Sequence, residues 1–268
     1  MSPPETVEVT PMFEFEKTLK DIAMHAGDMF SVRPAAVEQK EGHANFVTNI
    51  DTAVESFLGE KLLSLVPGSD MIGEEQENQP LSDRLTWIVD PVDGTTNLIH
   101  DYRVSAVSIA LCENRQPVVG LVWQPYTREL FYAEKGKGTT LNGEPVHVAD
   151  TPFEKALVTF GTAPYYEELA RRSMDLAGSF LHACADLRRS GSAAVDLATL
   201  ACGRHDIFFE MRLKPWDYAA GSLLLREAGG CFAMPLLPSP DFGASSAILA
   251  ATPACFEKAL ALFLRPDT

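Results

Sequence analysis

Residues 90–97 read Asp90-Pro91-Val92-Asp93-Gly94-Thr95-Thr96-Asn97 and directly follow the apolar run of residues 87–89. Two carboxylates three residues apart therefore stand where a predicted strand ends in a turn. Pro91 restricts that turn and Gly94 permits close backbone approach, so both carboxylates can face one ligand. Together with Glu74 upstream and Asp217 downstream, the pattern predicts a carboxylate cage for hard divalent cations. Such a cage suits the hydrolysis of phosphate esters.

The composition narrows the class of protein. The chain has 268 residues, of which 46% are hydrophobic and 22% charged, as is typical of a globular protein rather than a disordered one. It has no run of about 18 apolar residues and no signal-like start, so we expect a cytoplasmic protein without membrane contact. A net charge of -15 argues against broad nucleic-acid binding and leaves Arg171-Arg172 and Arg188-Arg189 as local basic patches.

The cysteines carry no recognisable chemistry. They are odd in number, widely scattered and without a Cys-x-x-Cys pair, which predicts buried free thiols rather than a zinc or redox site. They are Cys112, Cys184, Cys202, Cys231 and Cys255.

The first half of the chain combines helical and strand patterns. Apolar residues at helical spacing predict helices over residues 13–30 and 50–65. The polar, glycine-containing residues 40–49 between them fit either a mobile lid over a site or a plain linker. Residues 86–133 consist of short β-branched and aromatic runs that predict an antiparallel meander, and residues 141–144 read as a hairpin turn.

The second half alternates strands and helices, which predicts a sheet with helices packed on it. We expect strands over residues 157–160 and 206–210, and helices over residues 193–202 and 217–228, the last stopped by Gly229-Gly230. We place a domain boundary near residue 150. Residues 1–150 would form an α+β domain with the antiparallel sheet, the lid and most metal ligands, and residues 151–268 an α/β domain with the substrate loop.

Several separated motifs in the same order resemble the inositol monophosphatase family. They occupy residues 73–75, 90–100, 136–143, 188–194 and 216–221. The resemblance implies a layered α-β-α-β-α sandwich, an α+β/α/β fold of the inositol monophosphatase and fructose-1,6-bisphosphatase type. It also implies a magnesium-dependent, lithium-sensitive phosphatase that forms a homodimer.

The resemblance assigns roles to individual residues. Two or three Mg²⁺ ions would be held by the side chains of Glu74, Asp90, Asp93, Thr95 and Asp217 and by the carbonyl of Val92. Catalysis would involve Asp51, Glu74 and Thr95, with Asp51 and Thr95 orienting or deprotonating the attacking water. Substrate contacts are expected from Asp93, Gly94, Thr95, Thr96, Gly191, Ser192, Ala193, Glu210 and Asp217. Glu210 fits either a polyol-binding carboxylate or a plain strand end, and we assign no chemistry to His100.

The chain departs from the family pattern at three places. Leu98 and residues 101–104 differ from the usual residues, and Asn45-Phe46 stand where an acidic residue is common. Residues 231–234 lack an aspartate that usually follows the glycine pair. None of these changes removes a predicted metal ligand. The change at Asn45-Phe46 affects the expected binding of a third metal ion and the expected lithium sensitivity.

Three functions remain open from the sequence. The first is hydrolysis of a small polyol or sugar monophosphate, with myo-inositol 1-phosphate as first choice, which the Asp-Gly-Thr-Thr-Asn of residues 93–97 favours. The second applies the same chemistry to fructose 1,6-bisphosphate, a 3'-phosphonucleotide, NADP or histidinol phosphate. The third is a regulatory, RNA-polymerase-associated binding protein, for which Arg188-Arg189 is the candidate surface.

Overall fold

The computed structural model describes residues 15–31, 34–39, 46–75 and 80–265. Within these ranges the helices are α1 (Glu16–Asp28), α2 (Asn49–Leu65), α3 (Thr95–Ile99), α4 (Glu167–Ala183), α5 (Ala193–Ala201), α6 (Pro215–Glu227) and α7 (Pro253–Phe263). The strands are β1 (Val37–Gln39), β2 (Phe46–Thr48), β3 (Asp70–Gly73), β4 (Thr86–Asp93), β5 (Ala106–Glu113), β6 (Gln116–Gln124), β7 (Glu129–Glu134), β8 (Thr139–Leu141), β9 (Glu144–Val146), β10 (Leu157–Phe160), β11 (Asp186–Arg188), β12 (Ile207–Leu213), β13 (Cys231–Ala233) and β14 (Ser246–Ala251).

Two larger sheets organise the described residues. Strands β3 to β9 form a seven-stranded sheet in chain order, and the second sheet has the order β11-β10-β12-β14-β13. In the second sheet β10 pairs in parallel with β11 and β12, whereas β14 pairs antiparallel with β12 and β13. Strands β1 and β2 form a separate antiparallel pair.

The helices and sheets stack in five layers because each sheet buries both faces. Trp87 and Val89 of β4 pack with α1 and α2, while Ile88 between them faces α5 and α6. The second sheet alternates in the same way: Phe208 of β12 faces α5 and α6, and Phe209 faces α4 and α7. Because successive side chains of a strand point to opposite faces, each sheet has two apolar faces. The predicted α-β-α-β-α sandwich is confirmed.

Most of the predicted elements are present. The predicted helix over residues 50–65 is α2, and the one over residues 13–30 is α1 followed by a short 3-10 turn, Met29–Ser31; residues 13–14 lie outside the described ranges. The hairpin turn joins β8 to β9, with positive φ at Asn142 and Gly143. Helix α5 and strand β10 lie where they were expected.

Three boundaries were predicted wrongly. Residues 46–49 of the proposed lid are β2 and the start of α2, since Phe46 to Thr48 pair with Val37 to Gln39; residues 40–45 lie outside the described ranges. The helix expected from residue 217 begins at Pro215, because proline is suited to the first helical position. The strand expected over residues 206–210 continues to Leu213 through an irregular register. The sheet that contains the meander also includes β3, which was not predicted and pairs in parallel with β4.

The cysteines are free, as predicted, but only Cys112 and Cys255 are buried, and the others are half-buried. In the part of the chain that the structure describes, every helix falls short of the length and apolarity needed to cross a membrane. The two larger sheets come from residues on either side of residue 150, although one apolar cluster joins Ile88 of the first sheet to Phe208 of the second. The domain boundary therefore stays a prediction.

Gly120 allows the middle helical layer to approach the first sheet. A Cβ at Gly120 would lie 2.8 Å from the backbone carbonyl oxygen of Ala220 in α6. We expect Gly120→Ala to lower the free energy of unfolding by about 1–3 kcal/mol, because backbone atoms must shift to relieve the contact. Denaturant unfolding measures this change.

Gly178→Ala in α4 is the matched control, since nothing lies within 4 Å of the position that a Cβ would take there. This variant should match or exceed the wild-type stability by up to about 1 kcal/mol, because alanine favours the helix. Equal stability of the two variants would show that α6 does not depend on the close approach at Gly120.

Candidate functional site

Asp90 and Asp93 are both buried at the end of β4. The pairing of β4 with β5 shifts register between these two residues, and the Val92 N–H donates to Asp90 Oδ1 at 3.0 Å. Gly94 follows with φ +94°, and a Cβ there would lie 2.9 Å from the Val104 carbonyl oxygen. The bulge and the glycine turn therefore place the two carboxylates on the same side of the strand end.

Asp217 joins them from the first turn of α6. Pro215 begins the helix, and the Lys214 N–H donates to Asp217 Oδ2 at 2.6 Å, so the carboxylate caps the helix start. Asp90, Asp93 and Asp217 each offer an oxygen within 4.8 Å of the others. A search of the described residues for three or more His, Cys, Asp or Glu side chains close enough to share a metal ion finds these three aspartates.

Glu74 lines the same cavity but is not part of that trio. It follows β3, where the buried Glu55 carboxylate accepts the Glu75 N–H at 2.8 Å. A Cβ at Gly73 would lie 2.6 Å from the Glu55 carboxylate, so the glycine lets this carboxylate hold the loop. The position of Glu74 thus depends on a buried acid in α2.

Asp51 lies behind Thr95, fully buried in the first turn of α2. Its Oδ2 accepts hydrogen bonds from the backbone and hydroxyl of Thr48, the N-cap residue, which completes a capping box. Its Oδ1 lies 2.8 Å from the Thr95 hydroxyl, which is also 3.1 Å from the Val92 carbonyl oxygen. One hydroxyl proton serves one acceptor at a time, so these two contacts compete.

The loop before α5 holds Asp93 from the other side. Asp93 Oδ2 accepts from the Ser192 hydroxyl and from the Ala194 N–H, each at 2.6 Å. Ser192 is also the N-cap of α5 through its bond with the Val195 N–H. Gly191, with φ +84°, lets the chain turn into this cap. The carboxylate therefore lies at a helix N-terminus, where the dipole stabilises negative charge.

Crowding and burial perturb these carboxylates. The pKa of Asp90 lies well above its usual range because of burial and the charges of Glu74, Asp93 and Asp217. Burial likewise raises the pKa of Asp217 well above the usual range, and it raises the pKa of Asp93 to about 6 against the hydrogen bonds from Ser192 and Ala194. Concentrated negative charge of this kind is what a divalent cation neutralises.

The donor set fits a hard cation. It consists of oxygen atoms from the carboxylates, the Val92 carbonyl and the Thr95 hydroxyl, and Mg²⁺ and Ca²⁺ prefer oxygen ligands. No nitrogen or sulfur ligand accompanies the Asp90, Asp93 and Asp217 group within the described ranges.

Glu210 lines the same cavity from β12. Its Oε1 accepts the Ala163 N–H at 3.0 Å, and a Cβ at Gly161 would overlap its carboxylate, so Gly161 makes room for it. Burial raises the pKa of Glu210 to about 7, with the Ala163 N–H opposing the shift. Glu210 therefore lines the cavity, and β12 continues past it to Leu213, while its polyol-binding role stays a prediction.

The structure brings most of the predicted site residues to one cavity of about 1020 Å³. Those that line it are Glu74, Asp90, Val92, Asp93, Gly94, Thr95, Thr96, Gly191, Ser192, Ala193, Glu210 and Asp217. Asp51 reaches the cavity through Thr95. His100 does not line it.

The sequence interpretation missed other residues that line the cavity, including Tyr165, Asp196, Arg212 and Lys214. It also missed the capping box of Thr48 and Asp51, although Thr-x-x-Asp before an apolar pattern is a helix-start signal. Arg212 lies two residues after Glu210 on one strand, and regular alternation would place both side chains on the same face. This signal was weak, because the bulge between Glu210 and Leu213 changes which face each residue meets.

The layered α-β-α-β-α sandwich with oxygen ligands gathered at a strand end defines a class of protein with a candidate site for a hard cation. The model of the inositol monophosphatase family matches residues 8–265. This chain belongs to the inositol monophosphatase family.

Individual relatives carry two kinds of name. The chain is 40% identical over 200 residues to Nus factor SuhB of Escherichia coli strain K12, covering 74% of this chain and 75% of the relative. It is 39% identical over 201 residues to inositol monophosphatase 3 of Solanum lycopersicum, covering 72% and 75%. The crystal structure of extragenic suppressor protein suhB from Bartonella henselae aligns with a TM-score of 0.84 at 30% identity, covering 94% and 98%.

The raised pKa of Glu210 predicts a pH-dependent stability. Between the ordinary pKa near 4.5 and the folded value near 7, the folded state holds a proton that the unfolded state has lost. The contribution of protonated Glu210 to stability is therefore lost as the pH rises through that window. We compare Glu210→Gln with the wild type in the presence of a chelator. The free energy of unfolding of the variant minus that of the wild type should increase by about 1–3 kcal/mol between pH 5 and about pH 8.

Glutamine keeps an acceptor for the Ala163 N–H, so the variant isolates the charge. Denaturant unfolding at several pH values gives the difference. A difference that stays constant across the pH range would mean that Glu210 keeps an ordinary pKa in the folded protein.

Proposed function

We propose that this chain hydrolyses a phosphate monoester of a small polyol or sugar in a magnesium-dependent reaction, with myo-inositol 1-phosphate as the first substrate. The observation that carries the proposal is the convergence of Asp90, Asp93 and Asp217 beside the hydrogen-bonded pair of Thr95 and Asp51. Family membership supports phosphatase chemistry, and the relative named inositol monophosphatase 3 supports this choice of substrate.

In this proposal, two or three Mg²⁺ ions are held by Glu74, Asp90, the Val92 carbonyl, Asp93, the Thr95 hydroxyl and Asp217. Bound magnesium supplies charge neutralisation at the phosphoryl oxygens, which phosphate ester hydrolysis needs above all. The family expectation of lithium inhibition belongs to the same proposal, as does a homodimer.

Thr95 and Asp51 handle the proton of the attacking water. The Thr95 hydroxyl can donate to Asp51 Oδ1 and accept from a water in the cavity, so a proton can pass from water toward the buried carboxylate. Asp51 is held on its other oxygen by Thr48, which fixes its orientation. The Val92 carbonyl would be engaged if it held a cation, which would leave Asp51 as the acceptor of the Thr95 hydroxyl.

The remaining residues orient the ester. Gly94, Thr95 and Thr96 stand at the turn next to the carboxylates, and their backbone N–H groups are proposed phosphate donors. Gly191, Ser192 and Ala193 present small side chains to the cavity beside Asp93, where a polyol can approach the backbone. Glu210, Asp93 and Asp217 are the proposed acceptors for substrate hydroxyl groups.

The first experiment strips the protein of metal, adds magnesium back and measures phosphate release from myo-inositol 1-phosphate. We expect Asp90→Asn and Asp217→Asn to lose at least about a hundredfold in turnover, because metal positioning is central to this chemistry. The control is Asp150→Asn, an exposed aspartate outside the cavity, which should keep the wild-type rate. Near wild-type rates in either cavity variant would overturn the metal assignment.

A regulatory function is the second candidate, and the relatives named Nus factor SuhB are the observation that favours it. Arg188 is exposed and pairs with Asp186 at 2.5 Å, whereas Arg189 lines the cavity. Of these two arginines, Arg188 lies outside the cavity and can meet an acidic protein without altering the site. If this candidate holds, immobilised wild-type protein should capture RNA polymerase and Arg188→Glu should not, with phosphatase activity unchanged in both. Absence of capture by the wild type would remove the candidate.

A further inference from the structure

Asp196 is a buried carboxylate of the cavity that the proposed mechanism does not use. It lies in the first turn of α5, lines the cavity and is only 4% exposed. Its Oδ2 accepts a hydrogen bond from the Ser190 hydroxyl at 2.8 Å. Its Oδ1 accepts no hydrogen bond from the described residues and is open to the cavity. One oxygen of this carboxylate is therefore left for a ligand.

The unpaired oxygen makes the burial of Asp196 costly. Burial raises the pKa of Asp196 well above its usual range, and the hydrogen bond from Ser190 opposes this shift. The charges of Asp93 and Glu210 add to the shift. Within the described ranges no lysine or arginine forms an ion pair with Asp196. A hydroxyl group of a ligand would supply the missing partner, because a carboxyl group keeps an acceptor oxygen in either protonation state.

The surroundings of Asp196 fix the position of its carboxylate. The Ser190 hydroxyl oxygen also accepts the Ser192 N–H at 3.0 Å, and the Ser190 carbonyl accepts the side-chain amide of Asn97 at 3.0 Å. The Nε2 atom of the buried His205 lies 2.8 Å from the Asp196 carbonyl oxygen. An acceptor held in this way has little freedom to adapt, and it favours ligands that place a donor opposite it.

Asp196 lies next to the residues that are proposed to meet the polyol. Its N–H donates to the Ser192 carbonyl at 3.0 Å, and the Ser192 hydroxyl donates to Asp93. The carboxylates of Asp93 and Glu210 are close enough for their charges to act on Asp196. A polyol that approaches residues 191–193 therefore also approaches Asp196.

We infer that Asp196 Oδ1 accepts a hydrogen bond from a hydroxyl group of the substrate and is a specificity-determining residue. It selects polyol or sugar phosphates that turn a hydroxyl group toward α5, over phosphate esters that lack one. A site built to bind a hydroxyl group rejects the analogue without it, because the polar group of the site then stays unpaired. This inference rests on the proposed phosphatase function and adds a residue to its substrate recognition.

The experiment compares myo-inositol 1-phosphate with cyclohexyl phosphate, which has the same carbon ring without hydroxyl groups, at constant free magnesium. In the wild type we expect the lower KM for myo-inositol 1-phosphate. Asp196→Asn should raise this KM by at least about fivefold, because a charge-assisted hydrogen bond is replaced by at best a neutral one. The KM for cyclohexyl phosphate and both kcat values should change less than about twofold, since the contact binds ground state and transition state alike.

Ser190→Ala tests whether Asp196 acts only by holding the loop. This variant removes the hydrogen bond to Oδ2 and leaves the carboxylate in place. We expect the ratio of the two KM values to stay within about twofold of the wild-type ratio, whatever the change in each. The matched control for the charge is Asp175→Asn, an exposed aspartate of α4 outside the cavity, which should leave both KM values unchanged.

The outcomes separate the inference from the proposed function. The hydroxyl contact would be overturned, with the phosphatase function intact, by equal KM values in the wild type or by equal losses for both substrates in Asp196→Asn. A selective loss of the same size in Ser190→Ala would also overturn it, since the loop would then explain the effect. An absence of magnesium-dependent phosphate release from both substrates would overturn the proposed function and the inference together.

Discussion

The mutual repulsion of buried carboxylates at the end of β4 is the constraint around which this protein is built. Asp90 and Asp93 end a wholly buried strand, and Asp217 faces them within 4.8 Å. Two helix N-termini offset part of the repulsion: Asp93 accepts the Ala194 N–H of α5, and Asp217 accepts the N–H before α6. Burial raises the pKa values of Asp93 and Asp217 despite these hydrogen bonds, and the charge of Asp93 adds to the effect at Asp217. A divalent cation bound among the carboxylates would offset this cost.

The packing of small residues in the middle layer brings these groups together. Helix α6 meets the first sheet at Gly120, and a Cβ at Gly221 would lie 2.5 Å from the Leu197 Cβ of α5. Because both helices begin near the end of β4, close packing along their length sets the positions of their first turns. The distance between Asp93 and Asp217 is therefore a property of the whole sandwich and of no single motif. Larger side chains at these glycines would move the carboxylates as well as the core.

The parts of this arrangement that the sequence predicts are those encoded locally. Ligand types and turn chemistry in residues 90–97 identified the carboxylates, and short runs of β-branched and aromatic residues between turn residues identified the meander. The strand Phe46–Thr48 was missed because it and its partner, Val37–Gln39, are only three residues long, too short for a strand pattern to stand out. Arg212 was missed for another reason, since its bulge arises from the register with β14, which is distant in the chain. The raised pKa of Glu210 depends on burial beneath the 161–163 segment, which no local pattern records.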